Sequence, residues 1–469
     1  MRPNYQGSLN LHWCDTCHVP VLAPVCACGA RTRSVPVTPP GDARPAFPHD
    51  IALVNRVYEA HFGTPLIPRG MVALLNKVPD KDRMEEVIVG GAVVGMIRYI
   101  SDRDSWEPIP RIEAGSLMRP VKRFVIADEG AIRSIRDEGA SLLAPGLVGI
   151  DDEVRQGDEV FILDNDRICI GVGRSKVDAD SARTMKKGVI VRTRRNTRSP
   201  CIPGVATWDD AVRANREVIA RAEEASLTFV REVAARRGLP VNVSYSGGKD
   251  SLATLLVVQK ALGKVPVLFA DTGMEFPETY ANIDRIVDEY DLSLIRCEGG
   301  GEFWKAFAEH GPPAVDARWC CGACKLSPVR EQREEEWGEC LSFIGQRKYE
   351  SFARMQSSMV WRNRRVPNQL SAAPIHHWTA LHVWLYLFRE DAPYNVLYEQ
   401  GFDRIGCYMC PSSDIAVLRT IGEKYPELWQ EWTLKLEEWR KNHNLAPEWV
   451  QEARWRLKGG VVAEEDSNC

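Results

Sequence analysis

Several things are scarce in this sequence. No stretch of its 469 residues approaches the ~18 unbroken apolar residues of a spanning helix, which speaks against a helical membrane protein. The opening residues, MRPNYQGSLNLHWC, hold no apolar signal core, so the chain is read as cytoplasmic, with no membrane partner. No internal repeat and no low-complexity tract occurs, so neither a solenoid nor a flexible array is in view. Neither sign of charge dominates: 60 Lys and Arg against 64 Asp and Glu leave a net charge of -4. That excludes a globally basic nucleic-acid coat and leaves a local basic face open. Hydrophobic residues make up 44%, enough to bury real cores, and the length sets a prior of about three domains.

Cysteine, by contrast, is plentiful, with 14 residues. In a long cytosolic chain this points to metal or redox work rather than a disulfide framework. Cys14, Cys17, Cys26 and Cys28 form one group, Cys320, Cys321 and Cys324 a second, and Cys407 and Cys410 a third. Cys169, Cys201, Cys297 and Cys340 are scattered, and Cys469 is the last residue. Cys14-x-x-Cys17 and Cys26-x-Cys28 set two thiolate pairs at two short turns among few large apolar residues. Four thiolates there suit tetrahedral zinc, the metal replacing a core the segment is too small to build. His12 and His18 are candidates to substitute for one ligand. Residues 1–35 resemble a zinc ribbon or knuckle, which implies a fold and an RNA or protein contact, and no catalysis.

A Pro-rich stretch, TRSVPVTPPGDARPAFP, predicts a linker without regular structure. A small mixed domain is expected over 50–115, with helical spacing at 51–62 and two strands around Gly90-Gly91. Over 117–196 a strand, a helix stopped by Gly139 and further strands are expected, and one helix over 207–237. From there to about residue 425 strands alternate with helices. The predicted fold class is therefore α/β, a doubly wound parallel sheet over 205–425 preceded by the cysteine segment and smaller β-rich modules. In the remainder, 426–469, a C-terminal helix and tail are expected. Tyr425, Trp429, Trp432, Leu436 and Trp439 recur at helical spacing, an apolar stripe for packing.

The run EGAIRSIRDEGASLLAPGLVGIDDEVRQGDEVFIL followed by GVGRS, within 121–194, resembles a PUA domain, a small pseudo-barrel. That resemblance implies structured RNA or tRNA as a partner. Arg183, Lys186, Lys187, Arg192, Arg194, Arg195 and Arg198 make a local basic stretch that can meet phosphates or stand as a solvated strand edge.

Ser244-Tyr-Ser246-Gly247-Gly248-Lys249-Asp250-Ser251 follows a β-branched strand and opens a helix. Glycines let the backbone approach an anion, and the free N–H groups of a helix start favour negative charge. Ser246 and Ser251 add hydroxyls and Lys249 a mobile cation; Asp250 suits holding the loop or a Mg²⁺ ion. The string S-G-G-K-D-S looks like the PP-loop of the adenine-nucleotide α-hydrolase superfamily, which includes ATP pyrophosphatases, tRNA thiolation enzymes and sulfonucleotide reductases.

Asp271-Thr272-Gly273-x-x-Phe276-Pro277-Glu278-Thr279 at the next strand end resembles the phosphoadenosine phosphosulfate (PAPS) or adenosine phosphosulfate (APS) reductase family. Gly345-Gln346-Arg347-x-x-Glu350-Ser351-x-x-Arg354 and Pro374-Ile375-His376-His377-Trp378 continue it in order, over roughly 235–420. The resemblance implies that Ser244, Ser246 through Ser251, Asp271, Thr272, Gly273, Glu278, Gly345 and Glu350 bind the nucleotide. It implies that Lys249, Arg347 and Arg354 act on its phosphosulfate or 3′-phosphate, guanidinium being suited to tetrahedral oxyanions.

Soft thiolates at Cys320, Cys321, Cys324, Cys407 and Cys410 take zinc or iron–sulfur alike, and spacing does not decide between them. Resemblance favours a four-iron four-sulfur cluster on Cys320, Cys321, Cys407 and Cys410; the two CxxC pairs, Cys321/Cys324 and Cys407/Cys410, are an equally tidy set. The family's Glu-Cys-Gly-x-His-like tail has no counterpart, leaving Cys469 as the candidate nucleophile. The expected function is sulfonucleotide reduction to sulfite through a cysteine thiosulfonate, with a thioredoxin-like dithiol as reductant. Two alternatives stand beside it: ATP-dependent tRNA thiolation, with Mg²⁺ and the cluster, and a non-catalytic RNA-binding nucleotide sensor. PAPS is not separated from APS, nor is an oligomeric state given.

Overall fold

The computed structural model describes Leu9 and residues 11–457. The chain forms two compact units, divided between Val218 and Ile219.

The first unit holds three sheets. Leu11–Cys14 is the central strand of a small antiparallel sheet, with Val19–Val21 and Arg33–Val35 on either side. A second, five-stranded sheet runs through Arg44–Pro45, Ala73–Lys77, Met84–Val89, Ala92–Ile100 and Ser105–Pro110. The stretch expected to be a plain linker thus supplies a strand to each sheet. Both are edge strands, where nearby proline removes no needed ladder bond. Gly90 and Gly91, at φ +57° and +74°, form the two-residue turn between the paired strands. Helix Pro48–Phe62 buries Val54, Val57, Tyr58 and Phe62 in the core of this layer.

The third sheet has the spatial order Leu142–Leu143, Val189–Arg195, Cys169–Ser175, Glu159–Leu163, Phe124–Ala127, Leu147–Ile150. Helix Glu129–Glu138, capped by Asp128 and stopped at Gly139 (φ +69°), closes over Val125, Val160, Ile162 and Ile190. The helix expected over 207–237 is two: Trp208–Ala214, opened by a Thr207–Asp210 capping box, and Arg216–Arg237. Asn215 interrupts it because its buried amide is committed elsewhere. Its Oδ1 accepts from the Leu22 N–H at 2.8 Å and its Nδ2 donates to the Pro20 carbonyl at 2.9 Å, which fastens the break to the cysteine segment.

The second unit is built on one six-stranded sheet: β1 (Val241–Ser244), β2 (Val267–Asp271), β3 (Leu294–Glu298), β4 (Cys340–Ile344), β5 (Val360–Asn363) and β6 (Val366–Ala372). The spatial order is β3-β2-β1-β4-β6-β5, parallel throughout except for the β5–β6 hairpin. Helices α1 (Lys249–Leu262), α2 (Pro277–Glu289) and α3 (Gly300–His310) follow β1, β2 and β3, so the doubly wound α/β expectation holds. Strand order reverses between β1 and β4, and an open sheet of this kind offers its crevice at that switch point. The S-G-G-K-D-S turn leaves β1 there and Gly345-Gln346-Arg347 leaves β4. Away from the crevice, Trp432 and Leu436 of helix Pro426–Asn442 are buried beside Phe303 and Phe307, as the stripe predicts. No helix among the described residues is long and apolar enough to cross a membrane.

Candidate functional site

The turn after β1 is shaped by small residues. Gly247 has φ +74°, and a Cβ there would meet Thr279 Cγ2 at 2.8 Å, so only glycine fits both the conformation and the space. The Ser246 N–H donates to Ser251 Oγ at 3.2 Å, and that hydroxyl donates to the Gly248 carbonyl at 2.8 Å. Lys249 N–H donates to Tyr398 Oη at 2.9 Å. Burial pushes the Tyr398 phenol up to about 12, so it stays a neutral hydroxyl.

Asp250 sits at the centre of a charge lock. Its Oδ2 takes Lys249 Nζ at 2.7 Å and its Oδ1 takes Arg347 Nε at 2.6 Å. Burial works to raise its carboxyl, but the Arg347 and Lys249 cations outweigh it and hold the group below the usual carboxylate value. Burial likewise works against the Lys249 cation, and Asp250 reverses it, holding that amine above its usual value. Gly345 makes the lock possible: a Cβ there would lie 2.5 Å from Asp250 C and Ser251 N. Arg347 N–H donates to Glu350 at 2.8 Å, and Glu350 also takes Arg354, which is 40% exposed, at 2.5 Å.

At the end of β2, Asp271 accepts from the Gly273 N–H (2.9 Å) and from Tyr280 Oη (2.7 Å), with Arg296 at 3.5 Å. Buried Glu275 accepts from the Thr272 N–H and hydroxyl at 3.1 and 2.7 Å. Glu278 instead accepts from Tyr425 Oη at 2.7 Å.

The later cysteines stand beside this turn. Thr272 Oγ1 lies 3.6 Å from Cys407 Sγ, and the Tyr408 N–H donates to the Met274 carbonyl at 2.9 Å. Cys320 and Cys321 lie in a short helical turn, Trp319–Cys321, continued by a wide π-type turn, Gly322–Leu326, that holds Cys324. Hydrogen bonding to Cys321, burial, and the nearby Cys407 and Cys410 all raise the Cys320 thiol. Burial pushes Cys324 up to about 12. Lys325 is raised first by Cys407, with Glu275, Cys321 and Cys410 contributing. The five thiols are therefore one neighbourhood. Cys469 lies outside the described residues.

The amino-terminal quartet is tighter. Sγ of Cys14 and Cys28 are 3.7 Å apart, and those of Cys17 and Cys26 3.9 Å. A tetrahedron with Zn–S near 2.3 Å has an edge of roughly 3.8 Å. Among the described residues this is the one group of His, Cys, Asp or Glu whose donor atoms all lie within 4.8 Å of one another. The two histidines weighed as substitutes are not in it, and His12 Nδ1 is 3.2 Å from Thr32 Oγ1. The quartet is consistent with a zinc ribbon and can hold a metal such as zinc.

Comparison with known proteins agrees with this arrangement. Residues 240–413 match the phosphoadenosine phosphosulfate reductase domain, and 123–197 match the PUA domain. The Methanocaldococcus jannaschii protein MJ0066 is 39% identical over 469 residues, covering 97% of each chain. The chain belongs to one family with MJ0066, and its residues 240–413 form a phosphoadenosine phosphosulfate reductase domain. An adenosine 5′-phosphosulfate reductase of Lysinibacillus sphaericus is 27% identical over 168 residues, 35% of this chain and 70% of that one. The phosphoadenylyl-sulfate reductase of Candida auris, solved with phosphate, covers 42% of this chain and 97% of its own at 20% identity and a TM-score of 0.32. The reductase-family domain thus spans the loop, the lock and all five later cysteines. Tyr398, Glu275 and Arg296 were missed by sequence reasoning. Tyr398 and Arg296 carry no motif, while Glu275 lay unremarked inside the D-T-G run.

Proposed function

We propose that the crevice at the β1–β4 switch point binds a sulfonucleotide, PAPS or APS, and passes its sulfuryl group to a cysteine thiolate. The observation that carries this reading is the pairing of Asp250 with two cations. Both its oxygens are engaged by buried cations, at 2.7 and 2.6 Å. A Mg²⁺ ion brought to this carboxylate would meet two fixed positive charges already on it. A loop of amides and hydroxyls with the lock behind it suits a phosphosulfate better than Mg²⁺-ATP.

The Ser246–Ser251 turn would hold the phosphate, with Asp271, Thr272, Gly273, Gly345 and Glu350 shaping the crevice around the nucleotide. Arg354 would face the sulfate, and Arg347, held on Asp250, would add its charge from behind the loop to stabilise the leaving phosphate. A thiolate, for which Cys469 is the candidate, attacks sulfur. The S–S bond forms as the S–O bond breaks, and the adenylate leaves with the electron pair. A thioredoxin-like dithiol then attacks the protein sulfur. Sulfite departs with the S–S electron pair, and the dithiol's second thiol closes a disulfide, freeing the protein thiolate.

Cys320, Cys321, Cys407 and Cys410 fit a 4Fe–4S cluster. They adjoin one another without the tight gathering of a single-ion site, and half-buried Lys325 offsets their charge. When bound, the cluster supplies a fixed, charged iron–sulfur body beside the substrate. Cys324 remains the alternative ligand.

The PUA domain at 123–197 fits RNA binding and favours a second reading, ATP-dependent transfer of sulfur to RNA. Anaerobic incubation with PAPS, APS or ATP plus a dithiol separates the two. Sulfite from a sulfonucleotide, undiminished by a Mg²⁺ chelator, is expected. Sulfite from neither, with Mg²⁺-dependent release of AMP and pyrophosphate when tRNA is added, would replace the first reading by the second. Cys469→Ser should abolish sulfite release while leaving nucleotide affinity intact.

A further inference from the structure

A cavity of about 740 Å³ lies beside the turn that carries Cys320, Cys321 and Cys324. Its size is that of a small-ligand pocket. None of residues 244–251 lines it, nor does Arg347 or Arg354, so it is separate from the crevice. Its walls bring together Trp319, His310, Arg330, Arg364 and Arg365.

We propose that this cavity is a second nucleotide site, taking a base against Trp319 and a phosphate among the three arginines. Three guanidinium groups at one concave surface are a phosphate-recognition set, each presenting a planar fork of donors. The Arg364 side chain makes no hydrogen bond or ion pair among the described residues, and the Arg330 pairing with Glu331 is long, at 3.7 Å, and exposed. The floor is built to admit Arg365: its Nη1 lies 2.6 Å from the place a Cβ on residue 322 would take, so Gly322 leaves the space in which that guanidinium rests.

Trp319 supplies the aromatic element. It is half-buried, steadied by Phe303 at 5.3 Å and 32° and by His310 at 6.0 Å. Any base can stack on such a ring, because every base has a π-face. Glu334, also in the wall, offers an acceptor for a ribose hydroxyl or an exocyclic amine. An aromatic plate, a phosphate fork and one carboxylate describe a nucleoside phosphate rather than a bare anion. The source is either a free mononucleotide or one nucleotide of a single-stranded RNA. Either occupant would touch the same turn that presents the later cysteines.

The test uses the full chain, prepared anaerobically with its metals, and follows hydrogen exchange while titrating AMP, inorganic phosphate or a short 5′-phosphorylated oligoribonucleotide. Slowed exchange over 319–330 is expected, distinct from any slowing over 246–251. Arg364→Glu, at an exposed and unpartnered position, should weaken the 319–330 effect at least tenfold, and Arg364→Lys by less, with the thermal midpoint and the 246–251 response unchanged. A response to AMP identifies a free nucleotide; a response to the oligoribonucleotide alone identifies RNA. Protection by neither AMP nor the oligoribonucleotide, protection equal in Arg364→Glu and the parent, or protection by inorganic phosphate as strong as by whichever of the two binds overturns the proposal.

Discussion

Cys14, Cys17, Cys26 and Cys28 stand among three short strands whose buried side chains are few, Leu11, Trp13, Val19, Val21 and Val35 among them. Cys320, Cys321, Cys324, Cys407 and Cys410 instead lie against a wall of large aromatics that includes Phe303, Phe307, Trp432 and Trp455. In the first place the sulfurs are drawn to the spacing of one tetrahedral ion. In the second they are shared with Thr272, Lys325 and Arg404, which lies 4.0 Å from Cys410 Sγ. A metal held by the first group would stand in for a core. The second group lies against a core that already exists, so a metal proposed there would not be needed to build one.

The sharpest way to break this contrast is to remove each metal in turn. Chelation, or Cys14→Ser with Cys17→Ser, should release 11–35 from exchange protection, since structural zinc contributes ~10–16 kcal/mol. Metal analysis should show one zinc lost. Cys407→Ser with Cys410→Ser should remove iron and visible absorption while the thermal midpoint of the second unit moves by only a few degrees. Equal unfolding in both cases would end the distinction.

Arg347→Ala should come next in size. Its side chain is 3% exposed, and removing one partner of a buried pair costs about 3–5 kcal/mol, readable by denaturant titration. The acid side gives a second reading. Asp250 is held below its ordinary value, so its stabilisation is complete above the unfolded carboxylate value of ~3.9 and is lost as pH falls through the folded one. Without Arg347 that share of the acid-side slope should shrink. Gly345→Ala should cost about 1–3 kcal/mol through overpacking against α1 and lower adenylate affinity in calorimetry. Tyr398→Phe, which leaves the Lys249 N–H without its acceptor, should cost about 1 kcal/mol and scarcely move the thermal midpoint.

Much of the fold was legible because local chemistry and tertiary context agree. Alternating strands and helices gave the parallel sheet, Gly139 stopped its helix, and the tryptophan stripe found the core. The break at Asn215 was not legible, because helix propensity says nothing of an amide recruited by Pro20 and Leu22, some 190 positions away. The Pro-rich stretch misled for a related reason: proline excludes interior strands but is tolerated at edges. At the site, the glycine-opened turn between β1 and its helix could be read from S-G-G-K-D-S. That Asp250 spends both oxygens on its neighbours could not, since nothing in the spacing of residues 250 and 347 reports their pairing. Tyr398 was invisible for the same reason.

The main-chain bond from Tyr408 to Met274 ties the loop of Cys407 and Cys410 to the strand-end turn beside the crevice. A change at those sulfurs therefore has a direct main-chain route to the turn at the end of β2.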